Sequence, residues 1–179
     1  CSIQYFRLRK VSKTNTFILQ GKKSFSDSKL EQLNFDFNKI NTQNAEISSN
    51  EIYILASKNQ DLNLDDLKNI LNANDSLETF SFLVGPRSGT ISPWSSKTED
   101  IIKNVGIQNV TRVEKFYGIH ISNFSKDVDL DLSIFFDRMT QAIYSDYEDC
   151  KDFLNIDPQR AVSVIDIIGG GLKSLQEAN

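Results

Sequence analysis

The sequence predicts a single domain of the α+β class, and three observations carry that prediction. Some segments repeat apolar residues at offsets of three and four, which is typical of helices, whereas others are short apolar or alternating runs of strand length. The two kinds of segment alternate along the chain. The 179 residues, of which 39% are hydrophobic, suffice for one substantial core but not comfortably for two full-sized domains.

The first part of the chain is predicted to form a strand, a helix and a second strand. Residues 3–11 have strand-like composition. A helix over residues 29–38 would bury Leu30, Leu33 and Phe37, which lie three and four positions apart. Residues 51–56 (EIYILA) are predicted as a buried strand.

A second helix is predicted after this strand. Leu64, Leu67, Ile70 and Leu71 form one apolar stripe, and Asn63 is placed to cap the helix with its side-chain oxygen. Asp65 and Asp66 stand in the first turn, where the helix dipole favours acidic groups. Residues 78–85 (ETFSFLVG) are then predicted as another buried strand.

Residues 85–100 (GPRSGTISPWSSKTED) contain two of the three prolines and the only tryptophan of the chain. Pro86 and Pro93 fix their own φ angles and restrict the residues before them. Much of the ordering entropy is therefore lost before folding, which predicts a rigid loop. Within this segment, Ser96 and Glu99 have the spacing of a capping box that would open a helix over residues 97–105, with Gly106 closing it in a left-handed conformation.

Three segments follow this predicted helix. Residues 109–122 are predicted as a strand pair, or as one long bent strand with Gly118 at the break. Residues 128–147 are predicted as a long helix with a core-facing stripe. The stripe consists of Leu132, Phe135, Phe136, Met139 and Ile143.

The chain after residue 147 has a different character, so we predict a domain over residues 1–147 and the beginning of a linker over residues 148–179. Residues 152–179 contain one short apolar strand, three consecutive glycines at 169–171, and the start of an amphipathic helix that we expect to continue beyond Asn179. The glycines favour a flexible connection. Phosphate binding is the alternative, although the glycines are contiguous and are not spaced as in a dinucleotide-binding fingerprint.

Composition argues against several classes of partner. The net charge of -4 offers no basic field for a nucleic-acid backbone. The longest apolar runs fall far short of the roughly 20 residues that span a bilayer, and the N-terminus lacks a signal-peptide core. We therefore predict a cytoplasmic protein that binds neither nucleic acid nor membrane.

Catalytic side chains are scarce in this sequence. His120 is the only histidine, and it alternates in a strand-like segment as a polar face residue would. Cys1 and Cys150 are widely separated and lack metal or redox spacing, so we interpret both as reduced bystanders. The sequence predicts no catalytic residue, no cofactor and no metal site of its own.

Residues 86–107 (PRSGTISPWSSKTEDIIKNVGI), followed by VTRVEK at 110–115, resemble a hallmark of one enzyme family. The family is that of the large single-chain phosphoribosylformylglycinamidine synthases, also called formylglycinamide ribonucleotide amidotransferases, in their N-terminal region. FFDRMTQAIY and VIDIIGGGLKSLQEAN resemble later family segments, in the same order. The usual family form has proline where Ser88 stands and alanine where Glu99 stands.

The resemblance implies a fold, a reaction and partners. The family enzyme uses ATP and magnesium to activate the amide of formylglycinamide ribonucleotide, and ammonia released from glutamine displaces the phosphate. The synthetase and glutaminase domains of the same chain, which carry the catalytic residues, lie beyond this region and are its implied partners. The implied fold is a mainly antiparallel sheet with helices packed on it, like a fused dimer of the family's small accessory subunit. Its implied work is domain assembly and support of the ammonia path.

The same resemblance suggests that the rigid loop faces another domain or the active site. Trp94 would then dock outward and Arg87 would contact a carboxylate or phosphate. In the alternative interpretation Trp94 covers the domain's own core and Arg87 is solvated. The predicted interface residues are Arg87, Thr90, Ser92, Trp94, Ser95 and Lys97.

Two other functions are consistent with parts of the sequence. A free-standing adaptor that joins a separate synthetase and glutaminase would need the same surfaces. A small independent hydrolase would have to use His120, whose strand-like surroundings disfavour it.

Overall fold

A five-stranded antiparallel sheet carries three α-helices in the computed structural model, which describes residues 15–58, 62–124 and 130–150. The α+β class and the antiparallel sheet are therefore confirmed. A single 3₁₀ turn at Ser133–Phe135 precedes the last strand. The elements in chain order are β1 (Asn15–Lys23), α1 (Asp27–Asn41), β2 (Glu46–Ser57), α2 (Leu64–Leu71), β3 (Phe82–Pro86), α3 (Pro93–Asn104), β4 (Val110–Ser122) and β5 (Gln141–Tyr144).

The two longest strands form the centre of the sheet, in the spatial order β1-β2-β4-β3-β5. β2 and β4 pair in one unbroken register from Glu46 opposite Ser122 to Ala56 opposite Arg112. β3 pairs with β4 only where Phe82–Val84 face Tyr117–Ile119. Among residues 15–58, 62–124 and 130–150, no strand pairs with the first half of β4 on that side, and α3 packs against β4.

All three helices cover the same face of the sheet but leave a gap between them. α1 packs Leu33 and Phe37 on one end of that face, against Ile47, Ile119 and Ile121. At the other end of the face, α2 and α3 contribute a second apolar cluster with side chains of β1, β2 and β4. That cluster contains Leu19, Tyr53, Leu55, Leu67, Leu71, Ile102, Val110 and Val113.

The opposite face of the sheet has its own apolar cluster. Ile52, Ile54 and Phe116 are at most 1% exposed there, and the turn after β5 packs Tyr147 and Cys150 against them. Side chains alternate along a strand, so within the regular register from Glu46 to Ala56 and from Arg112 to Ser122 the even-numbered residues point to this face and the odd-numbered residues point to the helices.

The predicted helices α1 and α2 are confirmed, and the local signals explain both. Ser26 caps α1, which buries Leu33 and Phe37 and leaves Leu30 partly buried. Asn63 caps α2 as predicted, with its side-chain oxygen accepting from the Asp65 backbone N–H at 3.2 Å. The first described strand, β1, was not predicted from the sequence.

The strand predictions around Gly118 need adjustment. β4 is one continuous strand, and Gly118 pairs with Asn50 on one side and Leu83 on the other instead of breaking it. Glycine is required there for space, because a Cβ at this position would lie 2.6 Å from the Phe80 ring. The strand predicted at residues 78–85 begins only at Phe82.

The predicted start of α3 is wrong. The helix begins at Pro93, and its cap is Ser92, whose Oγ accepts from the Ser95 N–H at 3.0 Å. Proline favours the first helical position because its fixed φ is already helical and its missing N–H is not needed there. Ser96 therefore lies inside the helix. The predicted ending is confirmed, since Gly106 has a φ of 96° just after the helix.

The long helix predicted at residues 128–147 is also wrong. In its described part the chain forms a 3₁₀ turn, a loop and strand β5. Asp137 accepts hydrogen bonds from the Met139 N–H and the Thr140 hydroxyl, both at 2.9 Å. These bonds stabilise a turn, because the Met139 N–H is then not donated to the carbonyl four residues earlier, as it would be in a helix. Phe135 is buried as expected, but Met139 is 80% exposed.

Several predictions concern residues outside the described ranges. These are the strand at residues 3–11, Cys1, the short apolar strand within residues 152–179, and the glycine-rich segment with the helix that follows it. The division into a domain over residues 1–147 and a linker stays a prediction. None of the helices within the described residues is both long and apolar enough to cross a bilayer.

Replacing Ser92 by alanine is expected to lower the free energy of unfolding by roughly 0.5 to 2 kcal/mol, because it removes the cap of α3. The matched control is Ser96→Ala, which changes the same residue type at an exposed position inside the helix and should be nearly neutral. Urea unfolding of both variants measures the difference. Equal midpoints would contradict the assigned start of α3.

Candidate functional site

A groove of about 450 Å³ opens beside the loop that connects β3 to α3. Its volume lies in the range of small-molecule and peptide pockets. The loop and the first turn of α3 form one wall, β4 forms the floor, and the segment before β5 forms the other wall. The lining residues are Pro86, Thr90, Ile91, Ser92, Pro93, Trp94, Lys115, Tyr117, Met139, Thr140 and Gln141.

A charged pair lies at the floor of the groove. The Lys115 Nζ is 3.4 Å from Glu51 Oε1, and the Tyr53 hydroxyl donates to Glu51 Oε2 at 2.7 Å. The register of β2 and β4 explains this grouping, since Tyr53 stands directly opposite Lys115 and Glu51 is its diagonal neighbour. The Glu51 and Lys115 side chains are 11% and 22% exposed, so the pair is partly shielded from solvent.

Aromatic rings surround the lysine of this pair. The Lys115 ammonium lies 5.4 Å from the Trp94 ring centroid and 5.7 Å from that of Tyr117, both within cation–π range. Trp94 also stacks on Tyr53, with 5.6 Å between centroids and 16° between planes. Trp94 is half-buried, so it packs on its own domain and lines the groove as well.

Burial raises the pKa of Tyr53 above its usual range, and its hydrogen bond to the Glu51 carboxylate raises that pKa further. The tyrosine therefore remains a neutral donor toward Glu51 across the physiological range. Lys115 thus lines the floor of the groove, and Glu51 and Tyr53 hold it from behind.

The loop is anchored by a second ion pair, which lies on the opposite face of the sheet. Arg112 Nη2 is 2.9 Å from Glu114 Oε1, and the two side chains are 4% and 0% exposed. The same Arg112 nitrogen donates to the Thr90 carbonyl at 2.6 Å. Glu114 accepts from the Ser92 N–H at 3.1 Å and from the Ser92 hydroxyl at 2.6 Å. The loop is therefore bound to β4 at three points.

The rim of the groove exposes large apolar side chains. Ile91 is 53% exposed on the loop and Met139 is 80% exposed on the facing wall. An apolar rim around a groove is typical of surfaces that contact another protein or domain.

Three of the six predicted interface residues, Thr90, Ser92 and Trp94, line the groove. The other three do not. Arg87 is exposed and its backbone N–H donates to the Thr140 carbonyl, Lys97 is exposed on α3, and Ser95 is buried with its hydroxyl hydrogen-bonded to the Val113 carbonyl. Their assignment to an interface stays a prediction.

The sequence analysis did not identify the residues at the floor of the groove or those of the wall opposite the loop. Glu51 and Lys115 were not selected, because both strands contain other polar or charged residues and no local signal distinguishes these two. Met139 was assigned to a helical stripe. Tyr53 gave no local signal, because its role depends on the strand opposite.

His120 and Cys150 do not line the groove. His120 is half-buried on β4, and burial raises the pKa of the Cys150 thiol above its usual range, which makes it a poor nucleophile. No cluster of three His, Cys, Asp or Glu side chains that could hold a metal ion occurs in residues 15–58, 62–124 and 130–150.

A protein-family model matches a large part of this chain. The model described as formylglycinamide ribonucleotide amidotransferase N-terminal matches residues 50–154, which is more than half of the chain. This range contains every residue that lines the groove, both ion pairs and the loop between β3 and α3.

Replacing Tyr53 by phenylalanine is expected to weaken the loss of stability at high pH. Above about pH 10 the unfolded tyrosine has lost its proton while the folded one keeps it, so the free energy of unfolding falls as pH rises. This group contributes up to roughly 1.4 kcal/mol per pH unit there. Urea unfolding at a series of alkaline pH values should show a shallower slope for the variant, and an unchanged slope would contradict the buried Tyr53–Glu51 contact.

Proposed function

Because the chain belongs to the formylglycinamide ribonucleotide amidotransferase N-terminal family, we propose that it is the accessory domain that assembles the synthetase and glutaminase domains of this enzyme. The family points to purine biosynthesis, in the step that converts formylglycinamide ribonucleotide to its amidine. The proposed contribution of this domain is structural: it supports the path along which ammonia reaches the synthetase. We further propose that residues 1–147 form the domain and that residues 148–179 begin the linker.

The observation that carries this proposal is the groove with its apolar rim. Ile91 and Met139 expose more than half of their surfaces on opposite walls, and Trp94 lines the same groove. Interfaces typically bury such side chains at their centre, with tryptophan as a frequent anchor. Contact with a segment of a neighbouring domain would therefore bury apolar surface that is otherwise exposed to water.

A contact at this groove would help to seal the junction between the domains against loss of ammonia. Ammonia that escapes between domains is diluted and protonated in water, so glutamine-dependent synthesis needs a sealed junction. An apolar rim excludes water when a second surface covers it. The buried charges of the floor are already paired, so covering them leaves no new unpaired charge.

ATP and magnesium are assigned to the synthetase domain of the enzyme. The described residues contain no carboxylate cluster suited to magnesium, and no step of the reaction is assigned to their side chains. A cytoplasmic location follows from the purine-biosynthetic role as part of the same proposal.

The proposal predicts that polar substitutions at the rim damage coupling between the domains rather than folding. In the full-length enzyme, Ile91→Ser combined with Met139→Ser should lower glutamine-dependent turnover by roughly fivefold or more, since both apolar contacts are lost. Turnover with ammonia supplied directly should fall less. Steady-state kinetics with the two nitrogen sources measures both effects.

The matched control for this experiment is Phe35→Ser. Phe35 is 64% exposed on α1, away from the groove, so its replacement removes a large exposed apolar side chain without touching the rim. Equal losses of turnover in Phe35→Ser and in the rim variant would contradict a docking role for the groove.

The purified 179-residue chain is expected to hydrolyse neither glutamine nor ATP, because the resemblance places both sets of catalytic residues in other domains. Glutaminase and ATPase assays at high protein concentration test this expectation. Turnover that survives repeated purification and is lost in a His120→Ala variant would instead favour an independent hydrolase.

A further inference from the structure

We propose that Glu114 and Arg112 are positioning residues that hold the loop over residues 87–92, and with it Trp94, in the shape needed for docking. The positioning itself is independent of the proposed function; only its use in docking rests on that function. The ion pair is far more buried than the pair at the groove floor, and its hydrogen bonds reach the loop at Thr90 and Ser92.

The stability of the fold does not by itself account for such a pair. Burying two charges costs desolvation free energy, and apolar replacements of similar volume are often neutral or stabilising. What apolar side chains cannot supply is directed bonds to the polar groups of an irregular loop. Arg112 satisfies the Thr90 carbonyl, and Glu114 satisfies the Ser92 N–H.

The contacts continue from the ion pair to the groove through Ser92. The Ser92 hydroxyl donates to Glu114 at 2.6 Å and accepts from the Ser95 N–H at 3.0 Å, so one atom joins the carboxylate to the first turn of α3. Trp94 stands in that turn and lines the groove. A displaced Ser92 therefore displaces Trp94, and the rim at Ile91 moves with the loop.

This arrangement also places an acidic side chain at the start of α3. The N-terminus of a helix favours negative charge, and the Glu114 carboxylate already lies there, bonded to the cap residue. Fixing the loop before docking reduces the ordering entropy lost on association, which is how preorganisation increases affinity.

Trp94 is the only tryptophan of the chain, so its fluorescence reports directly on this position. The test compares the native protein with the double variant Arg112→Met/Glu114→Leu, which keeps the buried volume but removes the directed bonds. We expect the variant to remain folded by circular dichroism, with Trp94 emission shifted to longer wavelength and its quenching by acrylamide increased by roughly twofold. Unchanged emission and quenching in the folded double variant would overturn the proposal.

Two milder variants decide the matter if the double variant does not fold. Glu114→Gln removes the charge and Ser92→Ala removes the joining hydroxyl, and each should increase Trp94 quenching. The control is Lys68→Met, which breaks a surface ion pair with Asp75 without touching the loop and should leave Trp94 unchanged. Quenching that stays at the native value in both milder variants would overturn the proposal.

The same variants in the full-length enzyme separate this inference from the proposed function. A loosened Trp94 together with a selective loss of glutamine-dependent turnover supports both ideas. A loosened Trp94 with unchanged turnover supports the positioning role and contradicts the docking function of the groove. A rigid Trp94 in folded variants contradicts the positioning role, whatever the turnover.

Discussion

The antiparallel pairing of β2 with β4 is the constraint on which the rest of the structure depends. Its register is unbroken from Glu46 opposite Ser122 to Ala56 opposite Arg112. A slip of one residue would send every side chain of a strand to the opposite face. The register alone brings Tyr53 opposite Lys115, and it gives the two sheet faces their separate apolar clusters. The helices then pack on a surface that this pairing has already defined.

The groove exists because the helical layer over that surface is incomplete. α1 covers the end of the sheet near Ile119 and Ile121, and α2 with α3 cover the end near Val113. Lys115 and Tyr117 lie between these two covered ends of β4. An uncovered strip on a sheet face exposes polar and aromatic side chains instead of aliphatic ones, which is what allows a paired charge to remain there without a complete desolvation cost.

Two ion pairs that involve residues of β4 lie on opposite faces of the sheet and stabilise different parts of the groove. The Glu51–Lys115 pair lies under Trp94 and gives the groove its polar floor. The Arg112–Glu114 pair is almost fully buried and bonds to the loop that forms the wall. Neighbouring residues of β4 point to opposite faces, so Glu114 and Lys115 can serve these two ends although they are adjacent in sequence. The wall and the floor of the groove are thereby fixed to one rigid strand.

Features that depend on near neighbours in the chain could be predicted before the fold was known. Helices α1 and α2 follow from apolar spacing and the Asn63 cap, and the motif at residues 86–107 indicated the family. The remaining features depend on contacts between distant parts of the chain. The apolar spacing of residues 128–147 predicts a helix, yet residues 141–144 form strand β5. They pair with the edge of β3, and the turn at Asp137 ends the preceding loop. The groove floor joins residues 64 positions apart, and such contacts are set by strand register, which local periodicity does not encode.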